Sequence, residues 1–321
     1  MQTNKKKVKF ELNLFISRDS NYLNIVKLEQ TFSTVRTFYL DKVFDVYIDT
    51  TSFTLKQENT IIDLKRPMNL NVFFPCSIDE INFMICNHHN YDNFYYNQFK
   101  NRQWYALWTA IKKTDHINWY NHPEKAENYS NKILSHSHLE NNNIPVLKTC
   151  FVTHSQINLI NMSSFLIKNL SDTDHISEKE HFTPQLVNKQ KEIHGCKFPF
   201  ISQEYIKSTL EYRVYIFNMN QYVIMEIKLP SKKDISYKNI NVNELSLSVI
   251  KNPPCNLLEI IKKTIKTIDL DYYCLDIIND NYNFKIIDLN PHGSWHWLPD
   301  DIKNMIDDKF LKSIIHRACT L

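Results

Sequence analysis

Glycine is the residue that this sequence most lacks. Only two glycines, Gly195 and Gly293, occur among 321 residues, whereas average usage would give about 22. The P-loop and the Rossmann turn both need glycine where the backbone approaches a phosphate closely. The sequence therefore excludes these two nucleotide-binding folds, and side chains would have to hold the phosphates of any bound nucleotide.

Long apolar runs and paired cysteines are also missing. No apolar stretch reaches the roughly 20 residues that cross a bilayer, and the first residues, MQTNKKKVKF, contain no small-residue cleavage site. The seven cysteines are odd in number and form no CxxC pair, which argues against a disulfide framework and a thiolate zinc site. We therefore expect a cytoplasmic protein with reduced thiols and no membrane partner.

Charge of one sign is not concentrated in the chain. The formal net charge is +3, and the only basic run near the start is Lys5-Lys6-Lys7, which we interpret as a solvated arm. No nucleic-acid partner is expected from this distribution. A length of 321 residues with a hydrophobic fraction of 43% predicts roughly two domains of about 150 residues each.

Periodicity predicts a mixed N-terminal part. Segments 8–16 and 43–48 read as strands, 25–39 as a helix or a strand, 52–64 as a hairpin, and 97–113 as a packed amphipathic helix. The pattern becomes polar and proline-containing over residues 115–125. We therefore place a domain boundary there, with domains over 1–114 and 115–321.

The second part also alternates between strands and helices. Helices are predicted over 126–140 and 256–268. Strands are predicted over 146–152, 165–168, 198–206, 212–217 and 222–229, followed by a hairpin of 273–278 with 282–289. The polar stretch 171–190 is a candidate lid or flap. The expected fold class is α/β (α+β).

The C-terminal hairpin carries two aspartates in a pattern that can be tested by register. With a three-residue loop at 280–282, Asp276 would lie opposite Ile286, and Asp288 opposite Cys274. All even-numbered positions would then share one face of the hairpin. The carboxylates would project together.

Asp276, Asp288 and Asn290 are therefore candidate metal ligands. Oxygen ligands suit Mg²⁺, and two neighbouring carboxylates without a cation are costly. The alternative is structural, with Asp276 facing solvent and Asp288 capping the turn before Pro291.

Lys132 lies in the predicted helix 126–140. We assign the apolar side of that helix to Tyr129, Ile133 and Leu134. Lys132 is then either a surface lysine or a phosphate-binding group.

Two further cations lie on predicted strands. Lys168 ends an apolar strand, a position that favours an anionic partner. Arg213 alternates with apolar residues and could contact a phosphate or carboxylate in a bidentate manner. The alternative for Arg213 is a salt bridge to Glu211.

Histidines and nucleophiles give weaker signals. His136 and His138 are two residues apart on a predicted helix and so point apart, which disfavours a histidine-based hydrolytic metal site. No GxSxG elbow occurs. The residues themselves do not mark a protein nucleophile.

Read in order, these segments resemble the ATP-grasp superfamily, and more narrowly the microviridin-type ligases that make graspetides. Residues 123–132 followed by 144–149 are similar to the family's entry motif, whose lysine contacts ATP phosphate. Residues 164–168 resemble the strand with the second phosphate-binding lysine. The polar segment 171–190 resembles the flap over the triphosphate.

The later motifs continue the resemblance. Ser202-Gln-Glu-Tyr-Ile206 is similar to the hinge that meets adenine, and Glu211-Tyr-Arg213 to the family's acidic-x-Arg motif. Cys274-Leu-Asp276 and Ile287-Asp-Leu-Asn290 resemble the two metal-ligand strands. Asn290–Leu298 is close to the NPxGxWxWL ending of the graspetide branch.

The resemblance implies a role for each matched residue. The implied catalytic residues are Arg213 and Lys168. The residues implied to contact ATP are Lys132, Lys168, Gln203, Glu204, Tyr205, Ile206, Glu211 and Lys228. The implied Mg²⁺ ligands are Asp276, Asp288 and Asn290.

Two departures from the family pattern leave alternatives open. Asp288 stands where Glu is usual, so the number of metal ions is not fixed. The basic residue assigned to Lys228 could also be Lys232 or Lys233.

The resemblance implies an ATP-grasp fold behind an N-terminal pre-ATP-grasp α/β domain, with the hinge near residues 203–206. It implies a ligase that uses ATP and Mg²⁺, forms an acyl phosphate, and joins a carboxylate to an amine or hydroxyl. The expected partner is a precursor peptide whose side chains become cross-linked. A homodimer is one open alternative for the oligomeric state. The alternatives are an amino-acid ligase acting on a small molecule or a protein C-terminus, and an inactive ATP-binding scaffold.

Overall fold

The structure is a computed structural model that describes residues 8–16, 24–40, 45–49, 52–74, 94–153, 160–168, 185–187, 199–208, 210–218, 221–230, 244–280 and 283–321. Its helices are α1 (Ile25–Thr31), α2 (Phe94–Lys113), α3 (Pro123–Ser130), α4 (Lys132–Asn141), α5 (Cys255–Thr267) and α6 (Asp300–Thr320). Its strands are β1 (Val8–Ile16), β2 (Phe32–Tyr39), β3 (Asp45–Ile48), β4 (Phe53–Gln57), β5 (Thr60–Asp63), β6 (Asn69–Phe74), β7 (Trp119–Tyr120), β8 (Thr149–Val152), β9 (Phe165–Lys168), β10 (Gln185–Val187), β11 (Phe200–Glu204), β12 (Leu210–Phe217), β13 (Gln221–Lys228), β14 (Ser246–Val249), β15 (Tyr272–Asp280) and β16 (Asn283–Asn290).

The chain divides into two compact units. Unit 1 comprises Met1–Glu127, Leu270–Tyr272 and His292–Leu321, and unit 2 comprises Asn128–Asp269 and Tyr273–Pro291. The predicted domain limits of 1–114 and 115–321 stay a prediction.

Unit 1 is built on a parallel sheet in the order β2-β1-β6-β7. Every residue of β6 is buried, as is typical of a parallel strand that is covered on both faces. The segment 25–39, predicted as a helix or a strand, contains both. The Asn24 side chain accepts a hydrogen bond from the Lys27 N–H and caps α1, and β2 follows directly.

A second, antiparallel sheet of unit 1 has the order β3-β4-β5. It confirms the predicted hairpin over 52–64, with its turn at Glu58 and Asn59. Phe53 and Leu55 alternate inward from β4 and pack in one hydrophobic cluster with Phe15 of β1. The period-2 pattern of the sequence therefore marks the face of this sheet that is buried.

Unit 2 contains two sheets, in the orders β10-β9-β11-β8 and β14-β13-β12-β15-β16. The segment after Pro145 connects them. The Leu147 N–H donates to the Ile286 carbonyl at 3.0 Å, the Ile286 N–H donates to the Pro145 carbonyl at 2.9 Å, and the Glu204 N–H donates to the Lys148 carbonyl at 2.8 Å. These bonds fix the edge strand β16 close to β11, and the candidate site is built there.

The predicted helix over 126–140 is wrong in one respect, because two helices occupy this segment. Asn131 lies between α3 and α4, and its side chain accepts from the N–H groups of Ile133 and Leu134 at 3.0 and 3.2 Å. An asparagine at this position satisfies the first donors of a helix and starts a new one. Lys132 therefore begins α4.

Within the described ranges, neither long helix, α2 or α6, carries a stretch that is apolar enough to cross a membrane.

Candidate functional site

The pairing of β15 with β16 brings two carboxylates together. Asp276 lies directly opposite Asp288, and Cys274 lies opposite Asn290. The predicted register, with Asp276 opposite Ile286, is therefore wrong by two residues. Residues that face each other in an antiparallel pair project to the same side, so Asp276, Asp288 and Asn290 share one face.

A β-bulge at Ile287 produces this arrangement. From Asp280–Asn283 to Ile277–Ile286 the strands pair in one register, and beyond Ile287 the register has shifted by one residue. Without the extra residue, Ile287 would face Asp276 and Asp288 would project from the opposite side of the sheet, because side chains alternate along a strand. The bulge therefore turns Asp288 toward Asp276.

Arg213 joins the carboxylate face from β12. Its Nη1 donates to the two carboxylate oxygens of Asp276 at 3.1 and 3.4 Å, and both side chains are buried. The guanidinium also lies over the Tyr215 ring, with Cζ 5.5 Å from the centroid. The ion pair that the sequence suggested for Arg213 was with Glu211, whereas the structure shows one with Asp276.

The donor set of this face fits a hard divalent cation. Asp276 and Asp288 are like charges opposed across a strand pair, and such carboxylates are stabilised by a nearby cation. Arg213 supplies one positive charge to Asp276. Carboxylate and amide oxygens are ligands that Mg²⁺ accepts. Three His, Cys, Asp or Glu side chains do not converge anywhere in the described ranges, so Asn290 would be the third protein ligand.

Lys168 is placed by a buried glutamine. Its Nζ donates to Gln203 Oε1 at 2.6 Å, across the β9–β11 pair. Gln203 Nε2 in turn donates to the Ile287 carbonyl at 3.1 Å and lies 3.3 Å from Thr149 Oγ1. The same side chain thus contacts the strand of the candidate lysine and the bulge on the strand of the candidate metal ligands.

The predicted hinge, 203–206, continues from β11. The backbone N–H of Glu204 donates to Lys148, and that of Tyr205 donates to Ser164. The Glu204 carboxylate forms an ion pair with Lys285 at 3.3 Å. Adenine contacts through Glu204, Tyr205 or Ile206 remain a prediction.

The helix that carries Lys132 buries a different face from the one predicted. Ile133 and Leu134 are exposed, with 39% and 50% of their surface accessible, and the buried residues of α4 are Ser135, His136 and Leu139. Lys132 is half-buried at the first position of the helix.

His136 lies near the site, a position that the sequence did not predict. It lies one turn after Lys132 and so on the same side of α4. Burial lowers its pKa, the Lys168 ammonium lowers it further, and the Asp288 carboxylate and a hydrogen bond with the Ile287 backbone act in the opposite direction. The ring therefore interacts electrostatically with both Lys168 and Asp288. The i, i+4 spacing from Lys132 was the signal that could have revealed it.

Glu211 and Lys228 differ in their surroundings. Glu211 is buried on β12, two residues from Arg213 and thus on the same face of the sheet. Lys228 ends β13, is exposed, and forms an ion pair with Glu226 at 3.3 Å. Of the lysines proposed for this role, Lys232 and Lys233 lie outside the described residues. The predicted flap, 171–190, also lies outside them except for β10.

The aromatic ending is part of the core of unit 1. Trp295 is fully buried, packs against Tyr272 and Phe310, and donates from Nε1 to the Asp307 carboxylate at 2.8 Å. His292 is buried against Phe73, and burial lowers its pKa to about 3. Trp295 therefore has a structural role in the core of unit 1.

Comparison with known protein families and with curated proteins finds no match to this sequence. Solved structures do match. The macrocyclase MdnC from Microcystis aeruginosa, bound with its precursor peptide, superposes with a TM-score of 0.71 at 12% identity, over 95% of this chain and 99% of its own.

Two further solved structures are similar over nearly the whole chain. A RiPP-associated ATP-grasp ligase from Chryseobacterium gregarium, in complex with ADP and a leader and core peptide, has a TM-score of 0.71 at 12% identity, with 96% of this chain and 97% of that one covered. D-alanyl-alanine synthetase A from Vibrio cholerae has a TM-score of 0.60 at 14% identity, with 98% of each chain covered. The chain therefore has the predicted ATP-grasp fold and resembles the RiPP-associated ligases in structure.

Proposed function

We propose that this chain is an ATP-dependent ligase that activates a carboxylate as an acyl phosphate and transfers the acyl group to an amine or a hydroxyl. The observation that carries the proposal is the convergence of Arg213, Asp276 and Asp288 on one face of the sheet, within an ATP-grasp fold. Lys168, held by Gln203 on the adjoining sheet, adds a second positive charge in the same unit.

The proposed chemistry needs side chains that hold phosphates, as the near absence of glycine already required. In the first step the substrate carboxylate attacks the γ-phosphorus of ATP and ADP leaves. Lys132 and Lys168 would hold phosphate oxygens, and Arg213 would stabilise the charge on the phosphoryl group as it is transferred. In the second step the amine or hydroxyl attacks the acyl carbon, phosphate leaves, and the nucleophile loses a proton. A protein nucleophile is not required.

Mg²⁺ would be held by Asp276, Asp288 and Asn290. When bound, the ion neutralises phosphate oxygens and positions them for transfer. Asp276 is oriented by its ion pair with Arg213. Because Arg213 contacts Asp276, the guanidinium lies next to the face formed by the candidate metal ligands. Negative charge on the phosphoryl group would develop there.

The proposed substrate is a precursor peptide, cross-linked between an acidic side chain and a Lys, Ser or Thr side chain. Support comes from the likeness to one ligase bound with its precursor peptide and to another in complex with a leader and core peptide, over at least 95% of this chain. The NPxGxWxWL ending supports the same branch by sequence, although Trp295 itself is a core residue.

A second candidate function is an amino-acid ligase acting on a small molecule or a protein C-terminus. The likeness to D-alanyl-alanine synthetase A favours it, because that structure covers 98% of this chain.

Incubation of the purified chain with MgATP and a panel of acceptors tests these proposals. The panel contains peptides rich in Thr, Lys and acidic residues, free amino acids, and peptides ending in glutamate. ADP release and product mass are measured in each mixture. Peptide-dependent ADP release with loss of one water per bond supports cross-linking, and hydroxylamine cleavage of the product separates esters from amides.

The other outcomes exclude the peptide proposal. A gain of one amino-acid mass supports the second candidate. ATP binding without ADP release for any acceptor would indicate an inactive scaffold. The matched control is Arg213→Gln. This variant should fold but show no acceptor-dependent ADP release.

A further inference from the structure

The bulge at Ile287 is stabilised by contacts from outside its own hairpin. A bulged residue leaves the regular ladder of the two strands, so its carbonyl needs another donor. Gln203 Nε2 provides one at 3.1 Å from β11. Next to the bulge, the Ile286 N–H donates to the Pro145 carbonyl at 2.9 Å.

Gln203 is confined to this role by its surroundings. Its side chain is buried, with 2% of its surface accessible, and its two amide atoms have opposite tasks. Oε1 accepts from the Lys168 ammonium at 2.6 Å, and Nε2 donates to the Ile287 carbonyl. An amide can do both at once, whereas a carboxylate can only accept.

We propose that Gln203 is a positioning residue that couples the two halves of the candidate site, by orienting Lys168 and by holding the Ile287 bulge that turns Asp288 toward Asp276. This inference rests on the proposed function, because it takes Lys168 as a phosphate ligand and Asp288 as a metal ligand. Gln203 would therefore act by orienting Lys168 and Asp288, in addition to occupying the hinge position predicted from its motif.

The substitution Gln203→Glu separates the two tasks. The carboxylate still accepts from Lys168, but it has no N–H for the Ile287 carbonyl. Residues that orient metal ligands typically change metal affinity by about 10–100-fold when they are replaced. We therefore expect Gln203→Glu to weaken metal binding at least about tenfold when ADP is held at saturation for each variant.

The probe is Mn²⁺, a paramagnetic substitute for Mg²⁺, titrated into the full chain with saturating ADP and followed by electron paramagnetic resonance. ADP affinity without metal is measured by calorimetry. Asp288→Asn provides a double-variant test: if Gln203 acts through Asp288, adding Gln203→Glu to Asp288→Asn should cause no further loss of Mn²⁺ affinity. A merely structural glutamine would give additive losses.

The control is Gln57→Glu in unit 1. Gln57 is also buried, and its amide bonds the backbone of Tyr39 in both directions at 2.8 Å. This variant introduces a buried carboxylate into unit 1, whereas β9, β11 and β16 belong to unit 2. It should leave Mn²⁺ and ADP affinity as in the wild type.

The possible results separate the inference from the function. Absence of Mn²⁺·ADP binding in the wild type would overturn the proposed function. Wild-type binding together with unchanged Mn²⁺ affinity in Gln203→Glu would overturn the inference alone. If Gln203→Glu shows no cooperative melt, Gln203→Met replaces it, with weaker binding of both Mn²⁺ and ADP expected. Unchanged Mn²⁺ affinity in Gln203→Met would also overturn the inference.

Discussion

Arg213 and Asp276 form a buried ion pair in unit 2, with Nη1 of the arginine 3.1 Å from Oδ1 of the aspartate. Removing one partner of such a pair leaves the other charge buried without compensation, which typically costs about 3–5 kcal/mol. The same pair of residues therefore contributes both to the stability of unit 2 and to the proposed site.

Replacement of Arg213 by Met should lower the free energy of unfolding by about 3 kcal/mol, as measured by urea denaturation. The double variant Arg213→Met with Asp276→Asn should recover part of this loss, because the unpaired charge is removed as well. Lys113→Met is the control, since its ion pair with Glu124 is exposed and should contribute less than about 1 kcal/mol. Equal losses in Arg213→Met and Lys113→Met would contradict the prediction.

Asp288→Asn should reduce acceptor-dependent ADP release by at least about a hundredfold, a loss typical of removing one group that stabilises transition-state charge. Circular dichroism should show an unchanged fold. Asp288→Glu should retain more activity, because the ligand charge is kept. Asp280→Asn is the matched control, since Asp280 lies on the same hairpin and pairs with Lys285. Wild-type turnover in Asp288→Asn would exclude its role as a metal ligand.

His292 should make unit 1 sensitive to acid. Its folded pKa of about 3 lies below the ordinary value of 6.5 because the ring is buried. The unfolded chain therefore takes up the proton first, and the stability contribution present above pH 6.5 is lost as the pH falls toward about 3. Between pH 7 and pH 5 this amounts to about 2 kcal/mol.

The measurement is the free energy of unfolding at pH 7 and pH 5. His292→Met, which cannot titrate, should lose about 2 kcal/mol less over this interval than the wild type. His316→Met, at an exposed position of α6, should keep the wild-type dependence. A wild-type slope in His292→Met would refute the assignment.

Asp307 should tolerate an amide better than an apolar residue. Its carboxylate accepts from Trp295 Nε1 at 2.8 Å, and burial raises its pKa, although that hydrogen bond partly opposes the shift. Asp307→Asn keeps an acceptor and removes a costly charge, so stability at pH 7 should be unchanged or higher. Asp307→Val leaves the indole N–H without its acceptor and should cost about 1–3 kcal/mol.

The pH dependence provides a check on Asp307. Because the folded pKa is raised, the penalty for its charge is absent at low pH and grows as the pH rises above the ordinary value of 3.8. The advantage of Asp307→Asn over the wild type should therefore shrink on acidification. The free energy of unfolding of both proteins can be measured by Trp fluorescence at pH 4 and pH 7. An advantage of Asp307→Asn that is equal at the two pH values would contradict the prediction.

Much of the fold follows from local patterns in the sequence. Strand β1 has the predicted bounds, Val8–Ile16, and the hairpin β4–β5 lies within the predicted segment 52–64. Both depend on alternation and turn residues, which neighbours in the chain determine. The division of 126–140 at Asn131 was also present in the sequence as a capping residue, but the helical period concealed it.

Strand β6 and helix α6 were not predicted. Strand β6 is buried on both faces, so it lacks the alternation that marks a half-buried strand. Helix α6 combines acidic residues at its start with buried positions such as Ile306 and Phe310. These elements become recognisable when the partners that cover them are known.

The sequence by itself determined the kinds of side chain available for the proposed chemistry: almost no glycine, two strand-borne cations, and Asp276 with Asp288 and Asn290 on one hairpin. Only the tertiary structure decided that the two aspartates face each other, because the register of the observed turn, with Asp280 opposite Asn283, would by itself put Asp288 on the opposite face. The bulge that corrects this is bonded by Gln203, 84 residues away in the chain. Such a contact depends on how separate sheets meet, which no local pattern of residues encodes.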